Sequence, residues 1–370
     1  MGRLVFAEEA YLASRSSRGI SSDEHVTSAG EQKVKETGKL APAVDPSVDA
    51  LRRSLLRFDV TEDGKWEVTV GCPMDIEVSV DSTGSMGDNV DRAMKALPRT
   101  YELCAAMLLG YDPQLALGFF GDVTDKFVLN RPQFEMEADK IVNYLSLMNP
   151  EHDGGDTAED PQYSFFASAF LTAAYTNRIG LKGYYFMCTD APMHGNISPK
   201  TLERVFGADV WEALKDNGYQ FSRQNCPDLD DVILMLHEKK HCFVLICGGS
   251  REYKRQYEKY FSNVISIYST EYLPEFESAI IGLTEGNLDY DEIEDYLRSK
   301  GVSQKEIDFA LDGGLLSVPV GAQRKLENES TYIPKAGDIF EKKTDLRPII
   351  MATEKEAKEG VVPTSNIEWL

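Results

Sequence analysis

Long apolar runs are missing from this sequence. No window approaches the roughly 20 consecutive apolar residues that a bilayer-spanning helix needs, and residues 1–12 hold no stretch of the kind a signal peptide uses. The expectation is a soluble, intracellular, cytoplasmic protein. Basic side chains are in deficit, 39 Lys and Arg against 61 Asp and Glu, for a formal charge of -22. A field of that sign repels phosphate backbones and anionic lipid, so neither nucleic acid nor a membrane is an expected partner. A cationic or metal-bridged partner fits better, although net acidity also serves solubility alone. The six cysteines, Cys72, Cys104, Cys188, Cys226, Cys242 and Cys247, lack the short paired spacing of a zinc site. Several fall in apolar runs, the pattern of buried free thiols in a reducing compartment. Histidine is sparse and scattered, and no nucleophile with a base and an orienting acid can be assembled, so an enzyme is not expected.

What is present is globular composition, 42% hydrophobic and 27% charged over 370 residues, enough for one large α/β domain with additions. Residues 14–46 are rich in Ser, Gly, Glu and Lys with little periodicity, so residues 1–50 read as a flexible or extended arm. Residues 51–73 lead into the core, as a short helix over 51–58 and a hairpin over 58–70 that turns at Glu62-Asp63-Gly64-Lys65.

Strands then alternate with helices through residues 74–287, the sign of a doubly wound, mainly parallel α/β sheet with helices on both faces. Strands are expected at 74–80, 115–120, 184–188, 241–247 and 264–268, with 127–129 returning antiparallel. Helices are expected at 89–109, 135–148, 161–176, 229–239, 251–261 and 273–283, that at 161–176 deeply buried. Between 190 and 226, helical patches at 199–205 and 210–215 would cover one rim of the sheet. Residues 288–313 read as a hairpin of two short helices, similar to ubiquitin-associated-type hairpins, with Ser303 as N-cap and Glu306 placed to complete a capping box. Residues 314–370, broken by Pro319, Pro334, Pro348 and Pro363, read as an extended tail.

The segment Asp81-Ser82-Thr83-Gly84-Ser85-Met86-Gly87 follows an apolar strand and precedes a helix, so its polar groups stand at the carboxyl end of a sheet strand, where open α/β folds keep their ligand crevice. Alternation lets Asp81, Thr83 and Ser85 point at one spot, while Gly84 and Gly87 permit the tight path. One carboxylate with two hydroxyls is a hard oxygen set, suited to Mg²⁺, Mn²⁺ or Ca²⁺. By itself such a triplet also serves as a turn or helix cap.

This spacing resembles the metal-ion-dependent adhesion site (MIDAS) of von Willebrand factor A (vWA) domains, with Thr83 where Ser is commoner. The resemblance implies a Rossmann-like fold and two further ligands: Thr157, in Gly154-Gly155-Asp156-Thr157, and Asp190, in Cys188-Thr189-Asp190-Ala191-Pro192. The same loops, together with 118–122 and the run from Ala158 to Asp160, are similar to the A domains that accompany α-kinases. The kinase is absent, since no Gly-rich nucleotide loop with a following lysine is present.

The function implied is metal-mediated binding of a protein partner that offers Asp or Glu to the ion. Two other readings stay open. One is a scaffold subunit whose terminal arms exchange in a homo-oligomer or larger assembly; the other is a non-catalytic accessory of an ATPase or ubiquitin-handling complex. Of the remaining polar motifs, Asp156 would support the ion from outside its ligands, and Asp122 and Asp125 would end a strand or hold a second cation. His152, Asp153 and His194 are expected in loop packing. Cys247-Gly248-Gly249-Ser250 is a turn or an anion site, and Arg251, Lys254, Arg255 and Lys259 make a basic helix face.

Overall fold

The computed structural model describes residues 28–150, 157–330 and 332–341. The described residues begin with helix α1 (Ala29–Thr37), the short strands β1 (Arg52–Arg53), β2 (Phe58–Val60) and β3 (Trp66–Val68), and the long strand β4 (Cys72–Asp81). Helices α2 (Asp88–Ala96) and α3 (Thr100–Met107), strands β5 (Tyr111–Phe120) and β6 (Leu129–Asn130), and helices α4 (Ala138–Leu147) and α5 (Gln162–Phe170) follow. Next are β7 (Thr172–Ala173), α6 (Tyr175–Arg178), β8 (Gly183–Thr189), α7 (Pro199–Phe206), α8 (Val210–Asp216), α9 (Leu229–Lys239), β9 (Lys240–Cys247), α10 (Arg251–Tyr257) and β10 (Val264–Ile267). Helices α11 (Leu273–Glu285), α12 (Ile293–Ser299), α13 (Gln304–Asp312) and α14 (Ala322–Glu329) and strand β11 (Ile339–Phe340) complete the described chain.

The main sheet has the order β10-β9-β8-β4-β5-β6, all parallel except β6, which runs antiparallel beside β5. Both faces are covered, so the strands of the sheet interior are buried throughout and the expected doubly wound architecture is present. On one face Met74, Ile76, Val78 and Val80 of β4 join α2, α3 and α11. On the other, β8 and β9 side chains meet α5 and α9.

The alternate residues of β4 are Asp75, Glu77, Ser79 and Asp81, and all four are buried on the α5 side. Unpaired, such a row would oppose folding strongly. It is satisfied by hydroxyls at every fourth position of the segment crossing it: Ser164 bonds Ser79 at 2.8 Å, Ser168 bonds Glu77 at 2.8 Å, Thr172 bonds Glu77 at 3.1 Å and Thr176 bonds Asp75 at 2.5 Å. Two buried cations complete the row. Lys240, at the start of β9, contacts Asp75 and lies 2.8 Å from Glu77, and Arg131 lies 3.3 Å from the other Glu77 oxygen. Burial works against the charges, yet Lys240 and Arg131 hold Glu77 down at about 2, and Asp75 and Glu77 hold Lys240 above its ordinary value.

Several expected elements differ. Residues 51–58 form no helix: Arg52 is extended because its N–H pairs with Leu171 O in a parallel β1–β7 contact, while its buried guanidinium donates to Arg131 O and Pro132 O. The helix expected at 89–109 is split at Leu97–Arg99, where Pro98 supplies no N–H. The apolar run 161–176 ends its helix at Phe170 so that Thr172–Ala173 can pair with β1. Helix α10 stops at Tyr257, short of the expected 261.

Residues 28–50, expected in an arm, pack on the body. Ser28 and Glu31 form a capping box, and Gly30 touches the end of α4 so closely that a Cβ would lie 2.1 Å from Leu147 O. The tail also returns: α14 inserts the buried Gln323, and β11 adds to the β2–β3 hairpin. The helical pair α12–α13 is continuous with the core, burying Leu297, Ile307 and Ala310 in the cluster that contains β4. Ser303 caps α13 as expected, but Glu306 bonds Ser269 at 3.2 Å instead of closing a box. The remaining arm and tail residues, 1–27 and 342–370, lie outside the described residues, as does the loop 151–156.

Two outcomes test this core. Lys240→Met strands Asp75 and Glu77 and is expected to cost about 3–5 kcal/mol in denaturant unfolding, whereas Lys240→Met with Asp75→Asn regains part of that loss. Burial pushes Glu285, bonded by Tyr184 OH at 2.5 Å, up to about 7. Its folded value lies above its unfolded one, so its contribution is full at low pH and declines as pH rises from the ordinary Glu range to 7. Melting curves of Glu285→Gln against pH are expected to lack that decline.

Candidate metal centre

Parallel pairing of β4 with β8, in the register Val80↔Cys188, brings the carboxyl ends of two neighbouring strands together. Thr189, at the tip of β8, donates to Asp81 Oδ2 at 2.6 Å. Beyond Asp81 the chain turns back on that carboxylate, since both the N–H and the hydroxyl of Thr83 donate to Oδ1, at 2.9 and 2.7 Å. A short 3₁₀ turn, Gly84–Met86, follows, and Gly87 enters α2 with φ 49°. Of the two glycines expected to ease this path, Gly87 alone occupies the left-handed region.

The turn aims Ser85 at the other strand end, where its Oγ donates to Asp190 Oδ1 at 2.6 Å across a sequence separation of 105. Thr83 Oγ1 and Ser85 Oγ lie 3.3 Å apart. A hydroxyl has one proton and two lone pairs, and here each proton is directed to a carboxylate, leaving two acceptors face to face. A divalent cation could take a lone pair from each of these oxygens while the Thr83 and Ser85 protons stay on Asp81 and Asp190. Asp81 is fully buried, and burial pushes its carboxyl up to about 6 despite Thr189 and Thr83; burial also raises Asp190. Among the described residues neither acid has a Lys or Arg ion pair, so a cation would supply the missing charge. The donor set therefore fits Mg²⁺, Mn²⁺ or Ca²⁺.

Four of the five expected ligands, Asp81, Thr83, Ser85 and Asp190, are brought together. Thr157 is described, is exposed, and has no hydrogen bond to these four. The preceding residues His152, Asp153 and Asp156 lie outside the described residues.

Glu159 was not among the expected site residues. Its backbone bridges to the loop after Asp190, with Glu159 N donating to Pro192 O and His194 N donating to Glu159 O, both at 2.9 Å. Its buried carboxyl is pushed up to about 9, by burial first and then by Asp81, with Asp122 and Asp125 adding repulsion and a Thr83 hydroxyl contact opposing it. The signal was the acidic pair Glu159-Asp160 just after Thr157, in a loop already assigned to this rim. Asp122 and Asp125 close the turn after β5, where Asp122 N donates to Asp125 Oδ2 at 2.8 Å. Gly121 is required there, because a Cβ would lie 2.4 Å from that oxygen. Gly248 and Gly249 take left-handed conformations and Ser250 caps α10, so the 247–250 segment is a turn.

No family model matches the sequence, and no curated protein matches it. Among solved structures the chain is similar to proximal thread matrix protein 1 from the mussel byssus, at 10% identity over 58% of this chain and 48% of that one, with a TM-score of 0.37. It is also similar to a von Willebrand factor type A protein from Catenulispora acidiphila, at 12% identity over 60% of this chain and 45% of that one, with a TM-score of 0.34. The chain thus spans about half the length of each. Likenesses this distant leave the fold to rest on its own strand order.

Saturating Mg²⁺ is expected to raise the melting temperature, since a ligand at 100 times its Kd adds about 2.7 kcal/mol to the native state. Ser85→Ala is expected to abolish that shift while leaving the metal-free melting temperature nearly unchanged, because Ser85 is exposed. A flat response of the unaltered protein to millimolar Mg²⁺ would count against the centre.

Proposed function

We propose that this chain is a vWA-type module that binds a partner protein through a divalent ion, Mg²⁺ or else Mn²⁺ or Ca²⁺, held by Asp81, Thr83, Ser85 and Asp190 and completed by Thr157. The observation that carries the reading is the meeting of Ser85 with Asp190 from two separate strand tips, with the Thr83 and Ser85 hydroxyls 3.3 Å apart and each bonded to a carboxylate. Neutral hydroxyls neutralise little of the ion's charge, so it stays electrophilic and accepts an Asp or Glu from the partner. The module would act as a non-enzymatic, cytoplasmic adhesion unit. On this reading its loops resemble those of the A domains that accompany α-kinases.

The surface beside the site supports an acidic partner. Arg251, Arg255 and Lys259 line a groove that also includes Pro192, next to the Asp190 loop, and form no ion pair among the described residues. A partner carboxylate on the ion could place neighbouring acidic residues there, with gains in association rate and orientation. The scaffold reading, with exchanging arms, draws less support, because residues 28–50, 315–330 and 332–340 pack on their own chain.

The test is a pull-down from lysate with the full chain in Mg²⁺ or in chelator. A partner retained only in Mg²⁺, and lost with Asp81→Asn, supports the reading. Retention that is indifferent to both moves recognition to another surface. Light scattering of the eluted chain separates the scaffold alternative, which requires concentration-dependent assembly insensitive to chelator.

A further inference from the structure

Next to the hydroxyl-rich centre lies a group of different chemistry. One ligand atom from each of Asp122, Asp160 and His194 falls within 4.8 Å of the others. His194 Nε2 is 3.9 Å from Asp122 Oδ2. Three elements deliver these side chains: the turn after β5, the entry to α5, and the loop after β8. The Glu159–Met193 bridge fixes the last two in register, so His194 is held across from Asp160 by backbone hydrogen bonds.

The carboxylates are oriented before any ion arrives. Asp122 Oδ1 accepts from Thr124 N at 2.5 Å, which leaves Oδ2 toward His194. Asp160 Oδ2 accepts from Val123 N at 2.7 Å, and Oδ1 accepts from Gln162 Nε2.

A second observation points to a missing cation. Gln162 is fully buried, and its Nε2 is committed to Asp160 Oδ1 and to Asn196 O, which leaves its Oε1 with no donor. Glu159 is 2% exposed; it lies among Asp81, Asp122 and Asp125, and its Oε2 likewise has no partner. Native proteins leave few such acceptors unmet. Asp81, Asp122, Glu159 and Asp160 are all buried here, and among the described residues no Lys or Arg forms an ion pair with any of these four.

We propose that Asp122, Asp160 and His194 form a second metal site, distinct from the hydroxyl-rich one and selective for a nitrogen-seeking transition ion, Zn²⁺ in the first instance. An imidazole with two carboxylates is a borderline donor set that Zn²⁺ accepts and that Mg²⁺ and Ca²⁺, which prefer oxygen alone, do not favour. Bonds of about 2.0–2.2 Å require donors no more than about 4.2 Å apart. The existing separations reach that value with a small swing of the half-exposed His194 side chain. Water completes the coordination, as expected for a site open on the His194 side.

The site stands independently of the adhesion reading, and titration of the full chain with Zn²⁺ in saturating Mg²⁺ keeps the two apart. One equivalent of Zn²⁺ is expected. His194→Ala and Asp122→Asn are each expected to weaken it by at least about tenfold, the loss seen when even an outer partner of a ligand is removed. Ser85→Ala is expected to bind Zn²⁺ as the unaltered chain does. Co²⁺ in the same site is expected to give visible absorption that His194→Ala removes, and because His194 is at the surface, an unchanged melting temperature will certify that variant's fold. The proposal is overturned if the unaltered chain takes up no Zn²⁺, if binding survives His194→Ala and Asp122→Asn, or if Ser85→Ala rather than His194→Ala abolishes it.

Discussion

A row of acids in the middle of a hydrophobic sheet governs this structure. Asp75, Glu77, Ser79 and Asp81 occupy one face of the central strand, and nothing in a doubly wound fold can bury that face unless its charges are met. Lys240 and Arg131 meet the lower part, and the hydroxyls of 164, 168, 172 and 176 stitch its length. Among the described residues the upper end, Asp81, is met by hydroxyls and by no Lys or Arg. The row is thus a packing problem solved with buried cations at one end and with neutral hydroxyls at the other.

The order of strands and helices was legible because parallel sheets buried on both faces leave continuous apolar segments separated by helical spacing. The polar face of β4 was less so. Residues 74–80 read as an apolar strand because Met, Ile and Val dominate the pattern, while the alternate acids become visible as a buried row only once Lys240, remote in sequence, is seen beside Asp75. The same long-range pairing explains residues 51–58 and 161–176. Their local pattern favours helix, but Arg52 and Thr172 exchange it for a parallel contact and for partners far along the chain. Residues 28–50, 314–330 and 332–341 looked too polar to fold alone, and they do not fold alone: they lie on a surface built by the rest.

At the metal centre, Asp81, Thr83 and Ser85 were readable from spacing because they share one turn. Asp190 required the topology, and its meeting with Ser85 follows from β8 being the neighbour of β4. Glu159 and the Asp122, Asp160 and His194 group were harder to read, since their proximity depends on a two-residue backbone bridge between loops that no local pattern announces. The acids around this rim repel one another, and Asp81, Asp122 and Asp125 each help to hold the Glu159 carboxyl above its ordinary value.

The hydroxyls at 164, 168, 172 and 176 carry an implication for sequence drift. Because each answers a particular group on β4, deleting or inserting a single amino acid in that stretch would swing phenylalanine rings onto ionised oxygen and turn the hydroxyls into hydrocarbon. Relatives of this chain should therefore keep the length between these four positions constant, a spacing rule that outlasts overall resemblance and by which distant kin can be recognised.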